Sequence, residues 1–161
     1  MQYISRRTLA AQGRLPDNAS KSSAMGMAER GGRIAAQVIP DIKKTTLRSV
    51  VLDNIEPGSI VSTDELMSYG LLTGDGYKHG RVKHGSKEWS YYDYLHDAVH
   101  NTNRVESFWR LFKKSVASTH IHISSKYADR YLDEFAFRSN HRVMGNAMFD
   151  LLIAGLISAA M

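Results

Sequence analysis

The sequence of 161 residues contains no cysteine. That excludes a disulfide framework and any structural zinc site built on thiolates, so a bound metal must sit on oxygen or imidazole. A secretory leader is not expected either. The first 15 residues contain arginine and no acid, but they lack the apolar core of a signal peptide. At the other end, the apolar stretch from Leu151 to Met161 falls well short of the roughly 20 residues that cross a bilayer. It is expected to be a docking helix, in a cytoplasmic, nucleoid-associated protein with no membrane partner. There is no internal repeat and no low-complexity tract. With 43% hydrophobic and 23% charged residues, the composition excludes wholesale disorder and a collagenous chain, and the length suits one domain.

What the chain does have is positive charge: 21 Lys and Arg against 16 Asp and Glu give a net +5. A polyanionic partner is favoured, with nucleic acid first. The excess is uneven. Residues 1 to 40 carry Arg6, Arg7, Arg14, Lys21, Arg30 and Arg33 against Asp17 and Glu29. A second cluster, Lys78, Arg81, Lys83 and Lys87 against Glu88, is interleaved with Tyr77, Trp89, Tyr91, Tyr92 and Tyr94. Rings among cations are what a surface that stacks bases and holds phosphates uses. They are equally what a solvated loop with aromatics folded underneath looks like. A third cluster holds Arg104, Arg110, Lys113 and Lys114 against Glu106.

Residues 1 to 20 show no periodicity and read as an irregular lead. Residues 23 to 28 and 32 to 39 are short runs of small and β-compatible residues around Arg30-Gly31-Gly32, which predicts a β-hairpin. A short helix is expected over 43 to 54 from the spacing of Leu47, Val50, Val51 and Ile55. Pro57-Gly58 turns the chain into a strand over 59 to 63, which runs straight into Asp64. A carboxylate at the carboxyl end of a strand faces the ligand crevice in open α/β sheets. One or two helical turns over 65 to 72 and a strand over 77 to 84 follow, and 85 to 101 reads as a basic, aromatic-rich loop. The clearest helix covers 103 to 116: Val105, Phe108, Trp109, Phe112 and Val116 form one face, while Asn103, Glu106, Arg110 and Lys113 share an adjoining one. A helix from about 125 to 138 turns Tyr127, Tyr131, Leu132 and Phe135 inward and Asp129, Asp133 and Glu134 outward. A last helix spans roughly 143 to 157.

Hairpin, helix, strand ending in Asp64, strand, and a long helix presenting Glu106 are in the order of a ribonuclease-H-like core. Two carboxylates brought together from a strand end and a helix face suit Mg²⁺, whose ions activate the attacking oxygen and stabilise the leaving oxygen of a phosphodiester. Each residue also has a plainer role. Asp64 fits a helix N-cap after a strand, and Glu106 fits the far partner of Asn103 in a variant capping box. The Asn103, Glu106, Arg110, Lys113 stripe fits a solvated face, and Trp109 and Phe112 fit the core. His96-Asp97-Ala98-Val99-His100 imitates the zinc-protease pattern, but with Asp for Glu and no long helix around it.

Four stretches together carry a resemblance to a known family. They are Ser62-Thr63-Asp64-Glu65 with Tyr69; Gly76-Tyr77-Lys78-His79 with Val82-Lys83-His84; His100-Asn101-Thr102-Asn103-Arg104-Val105-Glu106-Ser107-Phe108-Trp109 followed by Lys113; and Tyr131-Leu132-Asp133-Glu134-Phe135 with Phe137-Arg138 and Asn140-His141-Arg142. Their order resembles the catalytic domain of bacterial insertion-sequence transposases of the DDE superfamily, in the ISXO-two-like branch, over roughly residues 22 to 142. The resemblance implies a nuclease and strand transferase acting on transposon ends and target DNA, with a retroviral-integrase-like fold and two Mg²⁺ ions. Asp64 matches the second catalytic aspartate and Glu106 the third acid, with Asn103 as a competing third ligand. Lys113 matches a basic residue of the motif. With Arg110, Lys114, Lys83 and Arg81 it would face DNA phosphate. A homo-oligomer or a full-length transposase is the implied protein partner.

The departure from the family's pattern is at the amino end. No Asp-Glu motif followed by glycines precedes the hairpin; Asp17 is the aspartate available there, while Asp41 and Asp53 match no motif position. The expectation is an α/β, ribonuclease-H-like mixed sheet with flanking helices that lacks its first core strand, as in an amino-terminally truncated copy. It would comprise an irregular lead over 1 to 20, a partial catalytic core over 21 to 142 and a C-terminal helix over 143 to 161. The alternative function is a catalytically inactive remnant that still binds DNA.

Overall fold

The computed structural model describes residues 2–8, 23–120 and 123–159. Its first sheet is antiparallel, in the order β1 (Gln2–Thr8), β2 (Ser23–Ala28), β3 (Ile34–Ile39). Helix α1 (Lys44–Asn54) leads to β4 (Ile60–Thr63), which lies alongside β1 and pairs in parallel with β5 (Lys78–Arg81). An antiparallel hairpin, β6 (Ser90–Asp93) and β7 (Ala98–Asn101), places β7 next to β4. Three helices complete the chain: α2 (Asn103–Ser115), α3 (Ala128–His141) and α4 (Ala147–Ala159).

Strand β2 explains the layering. Its residues alternate between two faces, and both are covered. Met25 and Met27 pack with Leu47, Val50 and Val51 of α1, whereas Ala24 and Ala28 pack with Val105, Phe108, Trp109 and Phe112 of α2 and Leu132 of α3. The second face is made of small residues so that an indole fits over it. A Cβ built on Gly26 would sit 2.8 Å from Trp109 Nε1. Trp109 is 0% exposed, and truncating such a residue costs about 3–5 kcal/mol.

Helix α3 seals the outer edge of the sheet. Asn140 accepts the Ile34 N–H through Oδ1 at 2.7 Å and donates Nδ2 to the Ile34 carbonyl at 2.8 Å. Asp129 Oδ1 accepts the Val38 N–H at 2.7 Å. Side chains thereby stand in for a neighbouring strand on β3 and remove an open edge. Asp129 is exposed, as expected from the sequence, and reaches the sheet edge from that position. Tyr127, expected inward, is exposed beside Lys126 and Arg130.

Three further expectations need correction. The lead expected to be irregular contains β1, so the sheet begins one strand earlier than anticipated; pairing with β2 along Gln2–Thr8 supplies order that the strand's own polar sequence does not advertise. The rest of that lead, including Asp17, lies outside the described residues. Residues 85 to 101 are not a loop throughout, because Ser90 to Asp93 pair with Ala98 to Asn101. The last helix is preceded by a separate 3₁₀ turn at Arg142–Met144, set off by Gly145 at φ 54°. α4 then leaves Phe149, Leu151, Leu152, Ile153 and Ile157 exposed. The hairpin, α1, β4, β5, α2 and α3 fall where the sequence puts them, and Trp109 and Phe112 are core residues. No helix among the described residues is long and apolar enough to cross a membrane.

Candidate active site

Strand β4 is a polar seam in an otherwise apolar layer. Ser62 and Thr63 are both buried, and each meets a histidine. Ser62 Oγ lies 2.9 Å from His100 Nδ1 on β7, and Thr63 Oγ1 lies 2.9 Å from His79 Nε2 on β5. Thr63 donates its hydroxyl proton to the Asp64 carbonyl at 2.8 Å, so the Nε2–H of His79 is the donor in the other bond. Burial pushes the His79 imidazole down to about 4, with the charge of Arg81 and then of His100 adding to the effect. Burial also lowers His100, against the opposing pull of Asp93, whose Oδ2 lies 3.4 Å from His100 Nε2. Asp93 itself is held below the usual carboxylate range, first by the hydrogen bond from His96.

This seam delivers Asp64 to the carboxyl end of β4. Asp64 Oδ1 accepts the Leu66 N–H at 3.2 Å, which opens the 3₁₀ turn Met67–Tyr69. The capping role weighed from the sequence is therefore present, as an Asx turn. The next residue, Glu65, accepts the Gly85 N–H at 2.5 Å. Gly85 follows His84, and His84 closes the circuit to the helix. His84 Nε2 lies 2.8 Å from Glu106 Oε1 and 2.8 Å from Thr102 Oγ1, while Thr102 donates its hydroxyl to Glu106 Oε1 at 2.7 Å. The hydroxyl proton is committed to the carboxylate, which makes His84 Nε2–H the shared donor. His84 Nδ1 is buried without a hydrogen-bond partner among the described residues. The strand-end acids and the helix acid thus flank one segment, His84-Gly85.

Helix α2 presents Glu106 because Thr102 stands at its N-cap and the Glu106 N–H bonds the Thr102 carbonyl at 3.0 Å. Asn103, one turn earlier, does not join this group. It lines a groove with Arg104 and Ser107 on a neighbouring face. Of the expected cations, Arg81 stands opposite Thr63 in the β4–β5 ladder, and Lys83 precedes His84. Arg81, Lys83, Arg110, Lys113 and Lys114 are all exposed. Trp89 and Tyr94 are exposed as well, and Trp89 lies 5.4 Å from the His84 ring. The histidine pair of the protease-like pattern is split between a turn and β7, which cannot place both on one helix face.

His84 and Thr102 are the site residues that sequence reading did not single out. Both stand inside the family-like motifs, yet the hydrogen bond joining them is long-range and has no local periodic signal. The two carboxylates offer the hard oxygen donors that Mg²⁺ takes. Among the described residues no group of three or more His, Cys, Asp or Glu is placed to hold a metal ion.

An acidic strand end and an acidic helix face rimmed by exposed cations define a candidate site for a polyanionic substrate. Sequence comparison supplies the class: the ISXO2-like transposase domain matches residues 2–140. The chain belongs to that family. It is also similar to an uncharacterized transposase-like protein of Haemophilus influenzae, 25% identical over 109 residues, which are 68% of this chain and 82% of the relative. No solved structure matches.

Proposed function

We propose that this chain is a DDE-type catalytic domain that cleaves transposon-end DNA and joins it to target DNA, with Asp64 and Glu106 as its acids. The observation that carries the reading is the circuit from the end of β4 to α2, in which Glu65 binds Gly85 and His84 binds Glu106. It ties the two carboxylate-bearing elements to one another in a chain whose family is that of transposases. The antiparallel β1–β3 sheet, the intervening α1 and the parallel β4–β5 pair support a ribonuclease-H-like core.

In this reading Asp64 and Glu106 would hold Mg²⁺, which when bound would supply Lewis-acid activation of the phosphodiester. The chain's own residues do the rest. His84 and Thr102 fix the Glu106 carboxylate, and Thr63 with Leu66 fixes Asp64. Arg81, Lys83, Arg110, Lys113 and Lys114 neutralise phosphates on either side, giving an affinity that falls as salt rises. A second copy or a longer transposase would be the protein partner on paired ends.

The test is Mg²⁺-dependent nicking and joining of duplexes carrying the terminal repeats that flank the coding sequence. The reading expects activity in the wild type and its loss in Asp64→Asn and in Glu106→Gln. Activity that survives both substitutions refutes the site. Binding without any strand cleavage in the wild type favours the DNA-binding alternative.

A further inference from the structure

Along the face of α2 next to the one that carries Glu106 lies a groove of about 760 Å³. Its rim is formed by Arg30 from the β2–β3 turn, Arg104 from the first turn of α2, and Arg138 and Arg142 from the end of α3; among the described residues no Asp or Glu lines it. The charges are largely uncompensated. Arg104 donates to the carbonyls of Glu29 and Gly32, Arg30 to that of Val99, and Arg142 to that of Ser139. Those bonds orient the guanidinium groups and leave their charge in place. Arg138 alone of the four has an acidic partner among the described residues, Glu134, in an exposed pair of the kind worth little in water. The floor is apolar, built from Ile34, Phe108, Leu111 and Phe135. Leu111 is 59% exposed, although it belongs to a helix whose other large apolar residues are buried.

Oriented guanidinium groups around an apolar floor match one polymer well. Arg forks bind phosphate oxygens, and a floor of aliphatic and aromatic side chains takes the face of an unpaired base. A duplex offers the phosphates but keeps its base faces stacked, so it satisfies only the rim. The volume is that of a ligand-sized site, within the roughly 300–1,000 Å³ such sites occupy. The groove also adjoins the candidate active site. Asn103 stands at its edge, and Arg110 and Lys114 lie on the helix surface between it and Glu106, given about 100° per residue.

We propose that this groove binds single-stranded DNA, holding phosphates on Arg30, Arg104, Arg138 and Arg142 and a base against Leu111 and Phe135. The identity of the polymer rests on the transposase reading above, whereas the preference for an unpaired strand comes from the groove itself. A strand separated at the acidic site would continue along α2 into it.

The experiment measures fluorescence anisotropy of the full chain with a labelled oligothymidine of about 10 nucleotides and with a duplex of equal length, in EDTA so that cleavage plays no part. Two variants are used, Arg30→Glu/Arg142→Glu for the rim and Leu111→Ser for the floor, each checked for a wild-type circular dichroism spectrum and Tm. The rim variant should bind the single strand at least about 10-fold more weakly and reduce the salt slope by roughly 0.7 for each phosphate that is no longer neutralised. Leu111→Ser should weaken single-strand binding roughly 5-fold, a fraction of what stacking one base is worth, with duplex affinity unchanged. Folded variants that bind the single strand like wild type overturn the proposal, as does an equal weakening on single strand and duplex in Leu111→Ser. Polyglutamate competing as well as oligothymidine also overturns it. Since the readout needs no catalysis, a wild type that never cleaves DNA leaves these outcomes readable, and active enzyme with unaffected groove variants sinks the groove alone.

Discussion

His84 Nε2 stands 2.8 Å from Glu106 Oε1, and the two residues come from different elements, the turn after β5 and the first half of α2. The bond holds the carboxylate in one orientation, a job that Thr102 shares at 2.7 Å. Partners of this kind commonly cost 10–100-fold in activity or metal affinity when removed. His84→Ala is therefore expected to slow Mg²⁺-dependent nicking by roughly 10–100-fold, with His84→Gln recovering part of the rate because its amide still donates. A structural role alone predicts no such difference between Ala and Gln at equal Tm. Equal rates for the two, measured in single-turnover nicking, count against the positioning role.

How far the sequence announces this arrangement depends on the element. Helix α2 is legible because Val105, Phe108, Trp109 and Phe112 repeat at helical spacing and all end up buried. Asp64 and Glu106 are legible as candidates because a strand and a helix with clear patterns lead to them. The β6–β7 hairpin is not, since the residues of β6 are exposed or half-buried and give no apolar alternation. Strand β1 fails for a related reason: Gln2–Thr8 includes Ser5, Arg6 and Arg7, and its order comes from pairing with β2. Likewise no local pattern reports that His84 reaches Glu106 or that Asn140 caps both polar groups of Ile34, because each partner is fixed only by the packed fold.

Burial of His79 gives the fold a pH dependence whose sign follows from proton counting. Its folded value, about 4, lies below the ordinary 6.5, so between those values the unfolded chain binds the extra proton and stability rises with pH. The contribution is complete above about pH 6.5 and disappears as pH falls toward 4. His100, lowered in the same direction by burial, adds to it. Urea midpoints measured between pH 7.5 and 4.5, as a range of about three units, should fall with acidification. His79→Gln, which keeps a donor for Thr63 Oγ1, should flatten the profile. An unchanged slope in that variant would show that other groups carry the acid sensitivity.

Gly80 is where β5 admits the ring of His100. A Cβ built there would collide with His100 Nδ1 and lie 2.5 Å from Cε1 and Cγ. The same Nδ1 bonds Ser62 Oγ, and Ser62 is the residue opposite Gly80 in the parallel ladder. Gly80→Ala must push the imidazole off that rung, break a buried hydrogen bond and disturb the strand that carries Asp64. The expected cost is about 1–3 kcal/mol, typical of overpacking, read from the shift in urea midpoint. Gly80→Ala at wild-type stability would mean that the imidazole is free to move aside.

The two polar candidates on α2 separate by what surrounds them. Glu106 is held by Thr102 and His84, whereas Asn103 lines the arginine-rimmed groove. Under the proposed function, charge removal at Glu106 would act on the reacting phosphodiester, and truncation at Asn103 on the DNA path. Glu106→Gln should lower the single-turnover rate by at least about 100-fold, equivalent to about 2.7 kcal/mol of transition-state stabilisation, with DNA affinity nearly intact. Asn103→Ala should instead shift the DNA concentration giving half-maximal rate by a fewfold and leave the rate at saturation within about a factor of 3. A collapse of the saturated rate in Asn103→Ala, matching that of Glu106→Gln, would assign the third ligand to the asparagine and move the acid's role to fixing the helix start.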